Sequence, residues 1–209
     1  MRAIMENSGL DKRDIILQST VKTIMVPKFT KLEPLTVSGH RFLAASTGIW
    51  IEIYRPWVHL ILPVSVQSKY TIPYGSVSKK IEFKFGNIPM HLINRFMQDA
   101  RREAPFESAA WITWNSSGEF GYRALEPIEQ EHFHIQFKRP PLPDGTHLIV
   151  DLHSHGHGHA FFSPEDDADD KDQVKLSFVF GSFNEANITF KARICTMGDY
   201  YPLTLELNG

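Results

Sequence analysis

An apolar run with β-branched members, Leu148-Ile149-Val150-Asp151-Leu152, leads without a break into His153-Ser154-His155-Gly156-His157-Gly158-His159 and, a few residues on, into Ser163-Pro164-Glu165-Asp166. The run predicts a strand that delivers His153 to the end of a sheet. Side chains at i and i+2 of a strand share a face, so His153 and His155 can reach one ion, while Ser154 points away or caps the turn that Gly156 and Gly158 permit. Ser163 at N-cap, Pro164 at N1 and an acid at N3 predict a helix start. Asp166 then offers a carboxylate from the first turn. Catalytic zinc typically takes three ligands of these types and leaves a fourth position for water, so the pattern points to a metal-dependent hydrolase. Asp166 can also serve simply to finish the cap, and the two uses are partly compatible.

A bare His-x-His is weak evidence, and the chain carries its own control in His132-Phe133-His134-Ile135-Gln136-Phe137. There the apolar residues alternate with polar ones, so His132 and His134 read as the outward face of a half-buried strand. Other metal classes fit the main stretch poorly. A His-x-His-x-Asp-His loop would need Asp and His where His157 and Gly158 stand, and a cupin would need Glu where His159 and Ala160 stand. No His-Glu-x-x-His helix occurs.

His-Ser-His, seven residues, then Ser-x-x-Asp resembles the motif of the JAMM metalloproteases, the MPN-plus or Mov34/JAB family, with the spacing matched without a gap. The family also places a catalytic Glu upstream in a Pro-x-Glu context, between a helix and a strand; this chain has Pro105-Phe106-Glu107. An amphipathic run precedes it, with Leu92, Ile93, Phe96, Met97 and Ala100 at helical spacing and Pro89 near the start. A strand-like run, Ala109 to Asn115, follows. Two departures stand out: Gly156 where the family usually has Pro, and Ala110 where it usually has Gly.

The resemblance implies zinc held by His153, His155 and Asp166, Glu107 as general base, and Ser163 as a hydroxyl that bonds the tetrahedral intermediate. Glu103 is the rival base, but it falls in the polar tail of the helix. His157 and His159 are left open between a contact that supports the ligands, a transient ligand and a plain loop residue. The acidic run from Glu165 to Asp172 reads most simply as a solvated helix start favoured by the macrodipole. The implied activity is hydrolysis of an amide or isopeptide bond at the C-terminal tail of a ubiquitin-like protein. The alternative is a non-catalytic MPN scaffold that binds such a protein or a partner subunit. The wording around both motifs further resembles the JAB-domain proteins of bacterial PRTRC systems, which are encoded beside proteins similar to ubiquitin-activating and ubiquitin-conjugating enzymes.

With 209 residues, 42% hydrophobic, the chain can bury one sizeable core or two small ones. Lys+Arg 22 against Asp+Glu 24 gives a net charge of -2 and no general attraction to nucleic acid or anionic lipid. Residues 1–9 hold no apolar signal region, and the apolar run from Trp57 to Val66 is too short to span a bilayer, so a cytoplasmic address is expected. The lone Cys195 reads as a small buried hydrophobe. Short runs at Ile15-Ile16-Leu17, Arg41 to Ala45, Gly48 to Ile53, Trp57 to Leu62 and Ile81 to Phe85 predict a β-rich N-terminal domain over 1–86. Over 87–209 the order helix, strand, hairpin, metal loop, short helix and two terminal strands predicts an α+β domain; the resemblance makes it an MPN-type α/β sandwich, cytidine-deaminase-like. Pro140 to Gly145 reads as an exposed loop with turn chemistry.

Overall fold

The computed structural model describes residues 10–66, 69–131 and 134–204, with backbone alone for 129–131 and 134–136. His132, and with it the side chain of His134, therefore lies outside the described residues. The chain divides into two compact units, the first ending at Lys84 and the second beginning at Phe85. The whole is α+β, with a β-rich N-terminal unit. No helix among the described residues is long and apolar enough to cross a membrane.

The first unit opens with helix α1 (Lys12–Thr20), followed by strands β1 (Thr23–Met25), β2 (Gly39–Ala45), β3 (Gly48–Arg55), β4 (Val58–Val66) and β5 (Lys80–Phe83). The five strands form one sheet in sequence order, with β1 parallel to β2 and the other pairs antiparallel. Helix α1 corrects the expectation of a strand at Ile15-Ile16-Leu17. Asp11 caps it by accepting the Arg13 N–H at 2.8 Å, and the Ser19 and Thr20 hydroxyls donate to the Ile16 carbonyl. Three consecutive apolar residues cannot distinguish period 2 from period 3.6; here all three stay exposed, so the local caps decide.

The second unit contains α2 (Met90–Glu103), β6 (Ala109–Asn115), β7 (Phe120–Ala124), β8 (Pro127–Glu131), β9 (His134–Phe137), β10 (Thr146–Ser154), α3 (Pro164–Asp170), β11 (Val174–Gly181), β12 (Thr189–Thr196) and β13 (Tyr200–Pro202). A six-stranded sheet runs β13-β12-β11-β10-β6-β7, parallel only between β10 and β11; β8 and β9 form a separate hairpin. Three strands close the unit where two were expected, because β13 is only three residues long and ends in proline. Pro89 sits at the N-cap of α2, whose Leu92, Ile93, Phe96 and Ala100 are buried. The Phe96 ring lies 5.5 Å from that of Phe180 on β11, so α2 covers the face bearing Phe180. The opposite face bears Asp151 and His153, which lie directly across from Trp111 and Ala109 of β6. Gly145, at φ 74, completes the turn that ends the Pro140 to Gly145 loop, and Leu142 of that loop packs against the buried Ala109, Trp111 and Leu125.

Candidate metal centre

His153 is the penultimate residue of β10, and His155 follows the strand's last residue. The pairing continues past the strand end on both sides. The His155 N–H donates to the Phe180 carbonyl at 2.8 Å, and the Ser154 N–H to the Ser108 carbonyl at 2.9 Å. The Ser108 N–H returns a bond to Ser154 Oγ at 3.0 Å. Ser154 is thus turned away from the histidines and ties β10 to the segment before β6. Ala109, directly opposite His153, opens β6, and half-buried Glu107 stands two residues before it.

Gly156 explains one departure from the family pattern. It stands at φ 52, where an added Cβ would lie 2.0 Å from the Pro105 carbonyl oxygen. Proline, locked near φ of about −65°, cannot occupy that conformation. The glycine lets the histidine loop approach the backbone just before Glu107. On the other side, the Gly158 and Gly156 carbonyls accept the N–H groups of Ser182 and Phe183 at 2.7 and 3.0 Å, which pins the loop to the end of β11.

Hydrogen bonding sets which imidazole nitrogens remain available. His155 Nδ1 lies 3.1 Å from the His159 carbonyl, which can only accept, so Nδ1 carries the proton and Nε2 keeps its lone pair. His153 Nε2 is buried and makes no hydrogen bond. It stands 3.2 Å from Asp166 Oδ1, close enough for an ion pair but not aligned as a hydrogen bond. Ligand atoms of His153, His155 and Asp166 all lie within 4.8 Å of one another. Phe161 sets its ring edge-on to His155 at 4.6 Å, and Phe162 faces His153 at 6.5 Å.

Asp166 resolves its two readings by dividing its oxygens. Ser163 caps α3 by accepting the Asp166 N–H at 3.1 Å, while Asp166 Oδ2 accepts both the Ser163 N–H at 2.7 Å and the Ser163 hydroxyl at 2.8 Å. Oδ1 is left toward His153. Burial raises the Asp166 carboxyl, but His153 and the two Ser163 bonds outweigh it and hold the group well below the usual carboxylate range. The Ser163 hydrogen is committed to Oδ2, so a bond to an oxyanion would require that hydrogen to swing away. His157 and His159 are exposed; His159 contributes its carbonyl to His155 and sets its Nδ1 3.0 Å from Ser182 Oγ.

The donor set fits a zinc ion: two imidazoles, one ionised carboxylate, and, beside that carboxylate, a buried nitrogen that makes no hydrogen bond. An orphaned buried polar atom is costly unless something binds it.

The acidic run departs from the solvated helix start expected for it. Glu165, Asp169 and Asp172 are exposed, but Asp170 is only 3% exposed. It accepts from Lys175, Arg193 and Cys195. Cys195 is buried as expected, its thiol pushed up by burial and by the Asp170 charge. Lys175 and Arg193 were not singled out from the sequence, since a cation within a strand ordinarily reads as its solvent-facing side. The signal available was a pair of cations on terminal strands beside an acidic helix start.

Among known families, the model of prokaryotic homologs of the JAB domain matches residues 89–193, just over half of the chain. A domain of unknown function, DUF2016, matches residues 11–84. The solution structure of protein DSY2949 from Desulfitobacterium hafniense is similar at 14% identity and a TM-score of 0.42, over 54% of this chain and 86% of that one. No curated protein matches. With its metal-type triad and Glu107 segment inside the matched region, the chain belongs to the family of prokaryotic homologs of the JAB domain.

Proposed function

We propose that the protein is a zinc-dependent metallopeptidase of JAMM type that hydrolyses an amide or isopeptide bond at the C-terminal tail of a ubiquitin-like protein. The observation that carries this reading is the buried, unbonded His153 Nε2 beside the ionised Asp166, with the His155 Nε2 lone pair turned free by its partner nitrogen. His153, His155 and Asp166 would hold the ion. Zinc, when bound, supplies a Lewis acid that acidifies water and polarises a carbonyl. Glu107, two residues before the Ala109 that pairs with His153, takes the proton of the attacking water and returns it to the leaving amine. Ser163, released from Asp166 Oδ2, donates its hydrogen to the developing oxyanion. His157 and His159 serve at most as supports, the latter through its carbonyl.

The choice of a ubiquitin-like tail rests on the family and on the resemblance to the PRTRC proteins. An extended tail with small terminal residues suits a centre at a strand end, where its main chain can take register from the protein's backbone. Activating-enzyme-like and conjugating-enzyme-like proteins are then the expected functional neighbours. The test is to incubate zinc-loaded protein with ubiquitin-like proteins carrying C-terminal extensions, and with unrelated unfolded peptides, and to follow cleavage by intact mass. Tail-specific cleavage is expected. Glu107→Gln should lower it by about 10²- to 10⁴-fold with zinc retained, while Glu103→Gln stays active. Indifferent cutting of the peptides would make the protein a general peptidase, and no cutting despite bound zinc would favour a scaffold.

A further inference from the structure

Behind the three proposed ligands lies a buried ionic clamp that joins the helix carrying Asp166 to the strand carrying His153. Lys175, 1% exposed, sits at the centre of one arm. Its ammonium reaches Asp151 of β10 at 2.6 Å and Asp170 of α3 at 2.7 Å. Asp151 precedes His153 by two residues on the same face of β10. Arg193 of β12, 5% exposed, supplies the other arm: its guanidinium bonds Asp170 at 2.7 Å and Asp167 at 2.5 Å. These two carboxylates follow Asp166 along α3, one and four residues on. The same guanidinium lies 3.8 Å from the centre of the Phe162 ring and 4.0 Å from that of Tyr200, and Phe162 in turn faces His153. The Tyr200 hydroxyl adds a bond to the Asp167 carbonyl.

We infer that Arg193 and Lys175 are positioning residues of the metal centre, holding α3 against β10 so that Asp166 Oδ1 stands beside His153 Nε2. The inference rests on the metal centre proposed above. The seven-residue α3 buries only Asp170, so no apolar face anchors it, and its placement falls to these charges. Arginine suits the role because its planar fork engages two carboxylates while stacking on rings, which a lysine cannot reproduce.

Metal-stripped full-length protein should be titrated with Zn²⁺ and Co²⁺, with near-ultraviolet circular dichroism reporting the fold. Arg193→Lys should bind both ions about 10- to 100-fold more weakly, the cost typical of a lost outer-shell partner. Its visible Co²⁺ spectrum should resemble that of Asp166→Ala. In the Asp166→Ala background, Arg193→Lys should have no further effect on affinity, because the two changes act through one ligand. A folded Arg193→Lys protein with wild-type affinity and spectrum overturns the inference, as does a full second loss on top of Asp166→Ala. Should Arg193→Lys fail to fold, Tyr200→Phe, which removes one bond to α3 and keeps the ring, should weaken binding severalfold, and unchanged affinity there overturns the inference. Wild-type protein that binds neither ion sinks the metal centre itself, before any variant is made.

Discussion

Two histidines, buried His59 in one unit and half-buried His153 in the other, stand beside carboxylates and have opposite uses. In the N-terminal unit, His59 spends both ring nitrogens: Nε2 lies 2.9 Å from Glu52 Oε1 and Nδ1 lies 3.0 Å from Lys80 Nζ. The ammonium can only donate, so Nδ1 accepts and Nε2–H donates to Glu52. Fully buried Glu52 also takes the Leu35 N–H at 2.9 Å and Arg41 Nε at 2.6 Å. The cluster is closed, with no donor atom left for an ion. In the C-terminal unit, His153 Nε2 is buried with no hydrogen bond, and Asp166 reserves one oxygen beside it. A shielded ring nitrogen and a nearby acid are common to both places. What separates a structural histidine from a candidate ligand is whether its inward nitrogen has been used.

The comparison breaks most sharply on metal content. The double change His153→Ala with His155→Ala should abolish zinc binding, from one ion per chain to none by elemental analysis, and leave the protein folded, since both rings sit at a strand end. Zinc retained at full stoichiometry would move the site to other histidines, and the contrast with His59 would lose its meaning.

His59→Ala should do the reverse. Removing one partner of a fully buried carboxylate costs about 3 kcal/mol, to be read as a lower urea midpoint with zinc content unchanged. A variant as stable as the parent but depleted of zinc would invert the assignment.

The smallest effect concerns acid. Burial raises the Glu52 carboxyl, but the bonds from Leu35, His59 and Arg41 prevail and hold it below its ordinary value. A group depressed in the folded state adds stability that is complete above its unfolded value of about 4.3 and is lost as pH falls through the folded value. Urea midpoints measured from pH 7 down to pH 3 should therefore fall, and Glu52→Gln should flatten that decline. An identical acid slope in the variant would show that the closed cluster contributes nothing to acid sensitivity.

Much of the C-terminal unit was legible in advance because its signals are local. The apolar run before His153 became β10, the helical spacing from Leu92 to Ala100 became α2, Ala109 to Asn115 became β6, and Ser163-Pro164-Glu165-Asp166 became the capped start of α3. Each rests on periodicity or cap chemistry within a few residues. The N-terminal unit was less legible at Ile15-Ile16-Leu17, where three residues carry too little pattern to reveal a helix that buries nothing. Lys175, Arg193 and Asp170 were opaque for a different reason: a charge reads as solvent-facing unless its partner is known, and here the partners lie 5 to 24 residues away.

By itself, the order of residues determined the strand that presents His153 and His155, the cap that places Asp166 in a first helical turn, and the helix-to-strand passage that contains Glu107. Only the tertiary structure decided that Asp166 turns Oδ2 into the cap and Oδ1 toward His153, that Ser108, next to Glu107, bonds Ser154 at the end of β10, and that a buried clamp secures α3. Local patterns depend on backbone period and on bonds between near neighbours. Which nitrogen or oxygen remains unused depends on sheet register and helix docking, and these are fixed by packing between segments that no short stretch of sequence contains.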